Sequence, residues 1–156
     1  MTNGTEDKLW GLIPAAGKGT RAFPYTENRH KALLDVNGVA NIERIIPIMR
    51  DDLQITDTVI VIGHLCDSIR GHLGDGARLN VRLHFIENNN LEKGLAWSIL
   101  LARQLISGFF CIMLCDESYI SSNHRLLLDF HWRDALFTCA GLRVDDVGLI
   151  QKNYAV

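Results

Sequence analysis

Short apolar runs recur along the chain: LWGLIPA (9–15), TVIVIG (58–63), VRLHFIE (81–87), FFCIML (109–114) and ALFTCAGLRV (135–144). Their lengths and their β-branched or aromatic content predict strands. Between them lie segments with helical spacing. NIERIIPIMRDD (41–52) repeats apolar residues at that period, with Asn41 as the expected N-cap. Pro47 either kinks this helix or marks its first turn. LCDSIRGHL (65–73) predicts a short helix and SNHRLLLDFHWRDA (122–135) the last one. KGLAWSILLARQLI (93–106) predicts a stronger helix, with an apolar stripe through Leu95, Ile99, Leu101 and Leu105. NG at 37–38, after ALLDV, reads as a tight turn. Strands alternating with helices imply parallel strands joined by crossovers, hence a three-layer α/β/α domain with a mainly parallel central sheet.

Composition narrows the function more than the fold. The 156 residues suffice for one domain with its own core, and no linker, repeat or low-complexity tract divides them. A formal net charge of -2 gives no support for a nucleic-acid or membrane-surface binder, both of which usually need a basic face. MTNGTEDKLW carries Glu6 and Asp7 and lacks a long apolar core, so neither a signal peptide nor a membrane span is expected. Four cysteines (Cys66, Cys111, Cys115, Cys139) form no CxxC pair and are expected to be buried reduced thiols of a cytoplasmic protein. The six histidines show no metal-ligand spacing and are assigned ordinary surface or packing roles.

Three stretches carry candidate chemistry. In α/β sheets, ligands bind outside the carboxyl ends of the strands. AAGKGTR follows the first predicted strand there, with Gly17 and Gly19 allowing close backbone approach and Lys18, Arg21 and, further on, Lys31 adding positive charge. Such a loop suits a polyphosphate; taken alone it also reads as a solvated turn. It is neither GxxxxGK[ST] nor a full GxGxxG. Asp116 directly follows the apolar run FFCIMLC, where a carboxylate either holds a divalent ion against phosphates or caps a turn; Glu117 is its neighbour and substitute. Asn88, Asn89 and Asn90 end the third run and precede Gly94, an arrangement able to read a nucleobase edge or to form an exposed turn.

Together these stretches resemble the nucleotidyltransferase family that activates sugar 1-phosphates. The GxGTR loop followed by Pro, Thr and a lysine segment is met by Gly17, Gly19, Thr20, Arg21, Pro24, Thr26 and Lys31, and KALLDVNG matches the continuation. KGLAWSILLA is similar to the helix start by which the glucose-1-phosphate thymidylyltransferase branch holds its base, and CIMLCD to the strand ending in a metal-binding aspartate. Two positions depart from the pattern: His30 stands where Pro is usual before the lysine, and Cys115 where Gly commonly precedes the aspartate.

The resemblance implies a Rossmann-like fold and assigns roles. Arg21 would sit on the outer phosphates of a nucleoside triphosphate and Lys31 by the α-phosphate, as the catalytic pair. Ala15, Ala16, Gly17, Lys18, Gly19 and Thr20 would line the nucleotide, Asn89 would read the base, Gly94 would lie against it, and Asp116 would bind Mg²⁺. The implied reaction moves a nucleoside monophosphate from the triphosphate onto a phosphorylated acceptor, a sugar 1-phosphate first of all, releasing pyrophosphate. PYTENRHKALL is similar to the branch that makes CDP-choline-type products, so a CTP-dependent phosphocholine cytidylyltransferase is the alternative, and a non-catalytic nucleotide-binding module is a second. DDVGLIQKNYAV resembles the entry to the family's sugar-binding half, so residues 1–156 are expected to be the nucleotide-binding portion. No nucleic-acid or membrane partner is implied, and homo-oligomerisation is left open.

Overall fold

In a computed structural model describing residues 8–119 and 121–129, the predicted alternation is realised. The elements are β1 (Trp10–Ala15), β2 (Asp35–Val36), β3 (Val39–Ala40), α1 (Asn41–Asp51), β4 (Asp57–Ile62), α2 (Cys66–Leu73), β5 (Arg82–Glu87), α3 (Gly94–Leu101) and β6 (Phe110–Ile112). Four strands form one parallel sheet in the order β5-β4-β1-β6. All six residues of β4 are buried, as expected of an inner parallel strand covered on both faces.

Side-chain alternation along the inner strands builds two cores. Ile13, Ala15, Ile60 and Ile62 pack with Ile42, Ile45, Ile46 and Met49 of α1 and with Ile69 and Leu73 of α2. Leu12, Val59, Val61 and Ile86 pack on the other face with Ala102, Ile99 and Leu101. Helices on both sides of the sheet make the three layers. The NG turn joins β2 to β3 as an antiparallel hairpin, with φ of 52° at Asn37 and 80° at Gly38; two positive φ values in succession are what a two-residue hairpin turn needs.

At the amino end of the sheet, the buried carboxylate of Asp57 accepts from Arg82 Nε at 2.8 Å and lies 2.7 Å from Lys8 Nζ and 3.0 Å from His84 Nε2. The hydrogen bonds from Arg82 hold this carboxyl well below the usual carboxylate range, despite burial.

Some expectations change. Pro47 lies within α1 beyond its first turn, and the helix runs on to Asp51. Only Phe110–Ile112 of the 109–114 run pair as a strand. The helix expected over 93–106 is α3 followed by a 3₁₀ turn at Ala102–Gln104. Its stripe does not face the sheet throughout: Leu95 and Leu105 are exposed, while Ser98 and Ala102 are buried and Ile99 and Leu101 half-buried. Nearly every position of GLAWSILL is apolar, so its period could not select a face, and the small residues allow the closest approach. Of the helix expected over 122–135, residues His124–Leu128 form a 3₁₀ helix, flanked by Asn123 and Asp129 outside it; residues 130–135, like the strand expected at 135–144, lie outside the described residues. Among the described residues, no helix is long and apolar enough to cross a membrane.

Candidate active site

The sheet order places the site. From β1 the chain passes to β4 on one side, while β6 pairs on the other. α1 packs on one face and α3 on the opposite one, so a crevice opens at the carboxyl ends of β1 and β6. The glycine loop leaves β1 at this crevice and Asp116 follows β6 into it.

The loop is shaped by glycine and fastened from below. Gly19 has φ of 68°, and a Cβ there would lie 3.2 Å from Thr26 Cγ2 and 3.3 Å from Lys31 Cβ, so a side chain is disfavoured twice. The 3₁₀ turn Thr20–Ala22 then carries Arg21 into solvent. Thr26, buried, donates its hydroxyl to the Gly19 carbonyl at 2.9 Å. Among the described residues, the backbone N–H groups of Lys18, Gly19 and Thr20 have no hydrogen-bond partner. Successive free N–H groups in such a turn favour an anion.

His30 is not a surface residue: it is 1% exposed. Its Nδ1 accepts from the Ala32 N–H at 3.1 Å and caps the 3₁₀ turn Lys31–Leu33. An accepting Nδ1 puts the proton on Nε2, which donates to the Gly17 carbonyl at 3.1 Å. Burial pushes the His30 pKa down to about 4, outweighing the hydrogen bond to Gly17, so the ring is neutral at pH 7. Its position beside Lys31, in place of proline, was the one sequence signal for such a role.

Lys31 Nζ lies 2.8 Å from Asp116 Oδ2, joining the lysine segment to the end of β6. The loop holding Asp116 is pinned by Asn41, which is no N-cap. Ala40 takes that position, and Asn41 is the first residue of α1, buried, with its side chain turned to the β6 loop. Its Nδ2 donates to the carbonyls of Cys115 (3.0 Å) and Glu117 (2.8 Å), and its Oδ1 accepts from Ser118 Oγ (2.6 Å). Cys115 points into the core rather than toward the cleft, and burial raises its thiol to about 12. Cys111 is likewise raised by burial, to about 11. Cys66 is half-buried, and all three described cysteines are free. Glu117 accepts from the Tyr119 hydroxyl at 2.6 Å.

Two clefts flank the loop. The larger, about 510 Å³, is lined by Gly19, Thr20, Arg21, Lys31, Asn41 and Asp116 among others. The smaller, about 150 Å³, lies against Ala16, Gly17, Asn88, Gly94 and Ser98. The structure therefore brings Ala16, Gly17, Gly19, Thr20, Arg21, Lys31, Gly94 and Asp116 around one loop. It does not bring three others to a cleft wall: Ala15 is buried in the core, while Lys18 and Asn89 are exposed and line neither cleft. Asn88, not Asn89, faces the smaller cleft, with Nδ2 donating to Ser98 Oγ at 3.0 Å and Oδ1 accepting from the Asn90 N–H at 2.8 Å. Among the described residues, no three metal-ligating side chains gather, and Asp116 is the one carboxylate on the larger cleft.

Residues 10–147 match the family described as Nucleotidyl transferase. The chain belongs to that family. Within it, the UTP--glucose-1-phosphate uridylyltransferase AglF of Haloferax volcanii is 31% identical over 111 residues, 71% of this chain and 44% of the relative. A solved Bacillus anthracis protein assigned as a glucose-1-phosphate thymidylyltransferase superposes with a TM-score of 0.70 at 24% identity, covering 78% of this chain and 49% of the other, and shows the same fold. The CTP:phosphocholine cytidylyltransferase of Streptococcus pneumoniae superposes with a TM-score of 0.61 at 29% identity, over 73% of this chain and 47% of that one. The chain spans less than half the length of the curated relatives it matches.

Proposed function

We propose that the chain is the nucleotide-binding portion of a nucleotidyltransferase that moves a nucleoside monophosphate from a triphosphate onto a phosphorylated small acceptor, a sugar 1-phosphate in the first reading, with release of pyrophosphate. The observation that carries it is the convergence, in one cleft, of a glycine loop with free N–H groups, two cations and a carboxylate on the turn after β6.

In this reading the triphosphate lies along the loop. The Gly19 and Thr20 N–H groups and Arg21 bind its outer phosphates, and Lys31 stands by the α-phosphate. The base enters the smaller cleft beside Gly94, where Asn88 is placed to act in the role expected of Asn89. The acceptor's phosphate oxygen attacks the α-phosphorus in line. Such a transfer needs positioning and charge compensation rather than a covalent enzyme intermediate, and the cleft offers both. The donor set suits Mg²⁺: one half-exposed carboxylate, Asp116, with phosphate oxygens as the remaining ligands. When bound, the ion would neutralise charge on the phosphates and favour departure of pyrophosphate. The three free thiols among the described cysteines support a cytoplasmic setting.

The likeness to the phosphocholine enzyme, at higher identity than the thymidylyltransferase, favours one second reading, with CTP as donor and phosphocholine as acceptor. The experiment is pyrophosphate release with each of the four nucleoside triphosphates against a panel of sugar 1-phosphates and phosphocholine, paired with calorimetric titration of the triphosphates. Release with a sugar 1-phosphate supports the first reading, and release with CTP and phosphocholine alone the second. Tight triphosphate binding without turnover by the protein in its full length would leave a binding module. No triphosphate binding would overturn the assignment.

A further inference from the structure

His30 lines neither cleft, yet it joins the two segments that build the larger one. From Gly17 to His30 only Thr26 and His30 are buried, so apolar packing cannot hold this stretch in shape. Its form depends on hydrogen bonds to the loop carbonyls, one from Thr26 to Gly19 and one from His30 to Gly17. The second spans thirteen positions and closes the loop at its origin on β1. The other nitrogen of the same ring caps the turn that begins with Lys31. One neutral imidazole thus sets the distance between the glycine loop and the lysine.

We propose that His30 is a positioning residue, which fastens the loop in the shape that leaves the Lys18, Gly19 and Thr20 N–H groups free for a polyphosphate. This rests on reading the cleft as a nucleotide site. The two nitrogens have separable substitutes. In His30→Asn, the amide oxygen takes the place of Nδ1 and keeps the cap, but no donor reaches Gly17. In His30→Gln, the longer amide donates near the Nε2 position and restores the tie at the expense of the cap.

Two readouts apply. The first is hydrogen exchange, without ligand, at the Ala22 and Tyr25 amides, which bond within the loop to the Gly19 and Ala22 carbonyls. The second is calorimetric titration with inorganic tripolyphosphate, which needs no base. Loss of one hydrogen bond predicts roughly five- to tenfold faster exchange and a similarly weaker Kd in His30→Asn, with His30→Gln near the unaltered protein in both. A role confined to the cap would give the reverse order. Native-like exchange in His30→Asn, or equal loosening in both variants, overturns the inference. Should His30→Asn fail to fold, as judged by its melting transition, His30→Gln decides alone: native-like exchange supports the tie, and loosening refutes it. If the unaltered protein binds neither tripolyphosphate nor any nucleoside triphosphate, the nucleotide reading fails while the exchange arm still decides the tie.

Discussion

Replacing Asn41 should destabilise the protein by more than a typical buried-polar substitution, and the two obvious replacements should rank in a counterintuitive order. The side chain donates to two carbonyls, at 3.0 and 2.8 Å, and accepts from Ser118 at 2.6 Å. A hydrogen bond contributes about 0.5–1.5 kcal/mol net, and stranding a buried partner costs about 1–3 kcal/mol. Asn41→Ala removes all three bonds and leaves the buried contact to the Cys115 carbonyl empty, so the loss should total about 3 kcal/mol. Asn41→Asp is nearly isosteric and puts a negative charge at the first turn of α1, which by itself stabilises by about 0.3–1 kcal/mol. It also turns the donor into an acceptor facing two carbonyl oxygens, which outweighs the helix-end gain. The aspartate variant should therefore be no more stable than the alanine variant. Urea unfolding at pH 7, comparing midpoints at equal slopes, measures both. A loss below about 1 kcal/mol for alanine, or a clearly more stable aspartate variant, would refute the account of Asn41 as the clamp on the Asp116 loop.

The remaining predictions concern the site. The folded pKa of His30, about 4, lies below the ordinary 6.5, so the unfolded chain takes up the proton first. Stability from the neutral ring is complete above pH 6.5, falls as pH drops toward 4 and levels off below, for a loss of up to about 3 kcal/mol. Asp57 and other carboxylates also titrate in acid, so the measurement is the stability difference between the unaltered protein and His30→Gln from pH 7 to 4; a difference independent of pH would refute the shift. Arg21→Ala should weaken triphosphate binding roughly tenfold or more while sparing monophosphate, and equal calorimetric losses for both ligands would make Arg21 a surface charge only. Asp116→Asn should remove any tightening of triphosphate binding by Mg²⁺ over EDTA with the fold intact; if the Mg²⁺ effect survives, Glu117 becomes the ligand to test.

What could be read from the chain followed from how strongly each residue's type dictated its environment. β4 was legible because a strand buried on both faces must be a continuous apolar run, and VIVI has no other good use. The glycine loop was legible because free backbone and a positive φ at Gly19 demand glycine. α3 misled because an almost wholly apolar helix has no period to orient it. Asn41 read as a cap because asparagine before a helix usually is one, whereas its partners lie more than seventy residues on, across the crevice. Asn89 was named by resemblance, and that Asn88 faces the smaller cleft was not legible, since three consecutive asparagines give no hint of which points inward. His30 lacked a signal in its own spacing because its hydrogen bonds go to backbone, which any residue supplies.

The loop from Ala16 to Ala22 serves two clefts at once: Ala16 and Gly17 line the smaller, and Gly19 to Ala22 the larger. A short segment shared in this way cannot be remodelled for one cleft without altering the other. Substitutions around Gly94 and Ser98 meant to admit a different occupant in one cleft should therefore change affinities in the other too, and their effects should fail to add with those at Arg21. Selection for a new donor would then act on pairs of changes astride the loop rather than on single residues, which makes Thr26 and His30, the two ties beneath it, the places where that exchange is set.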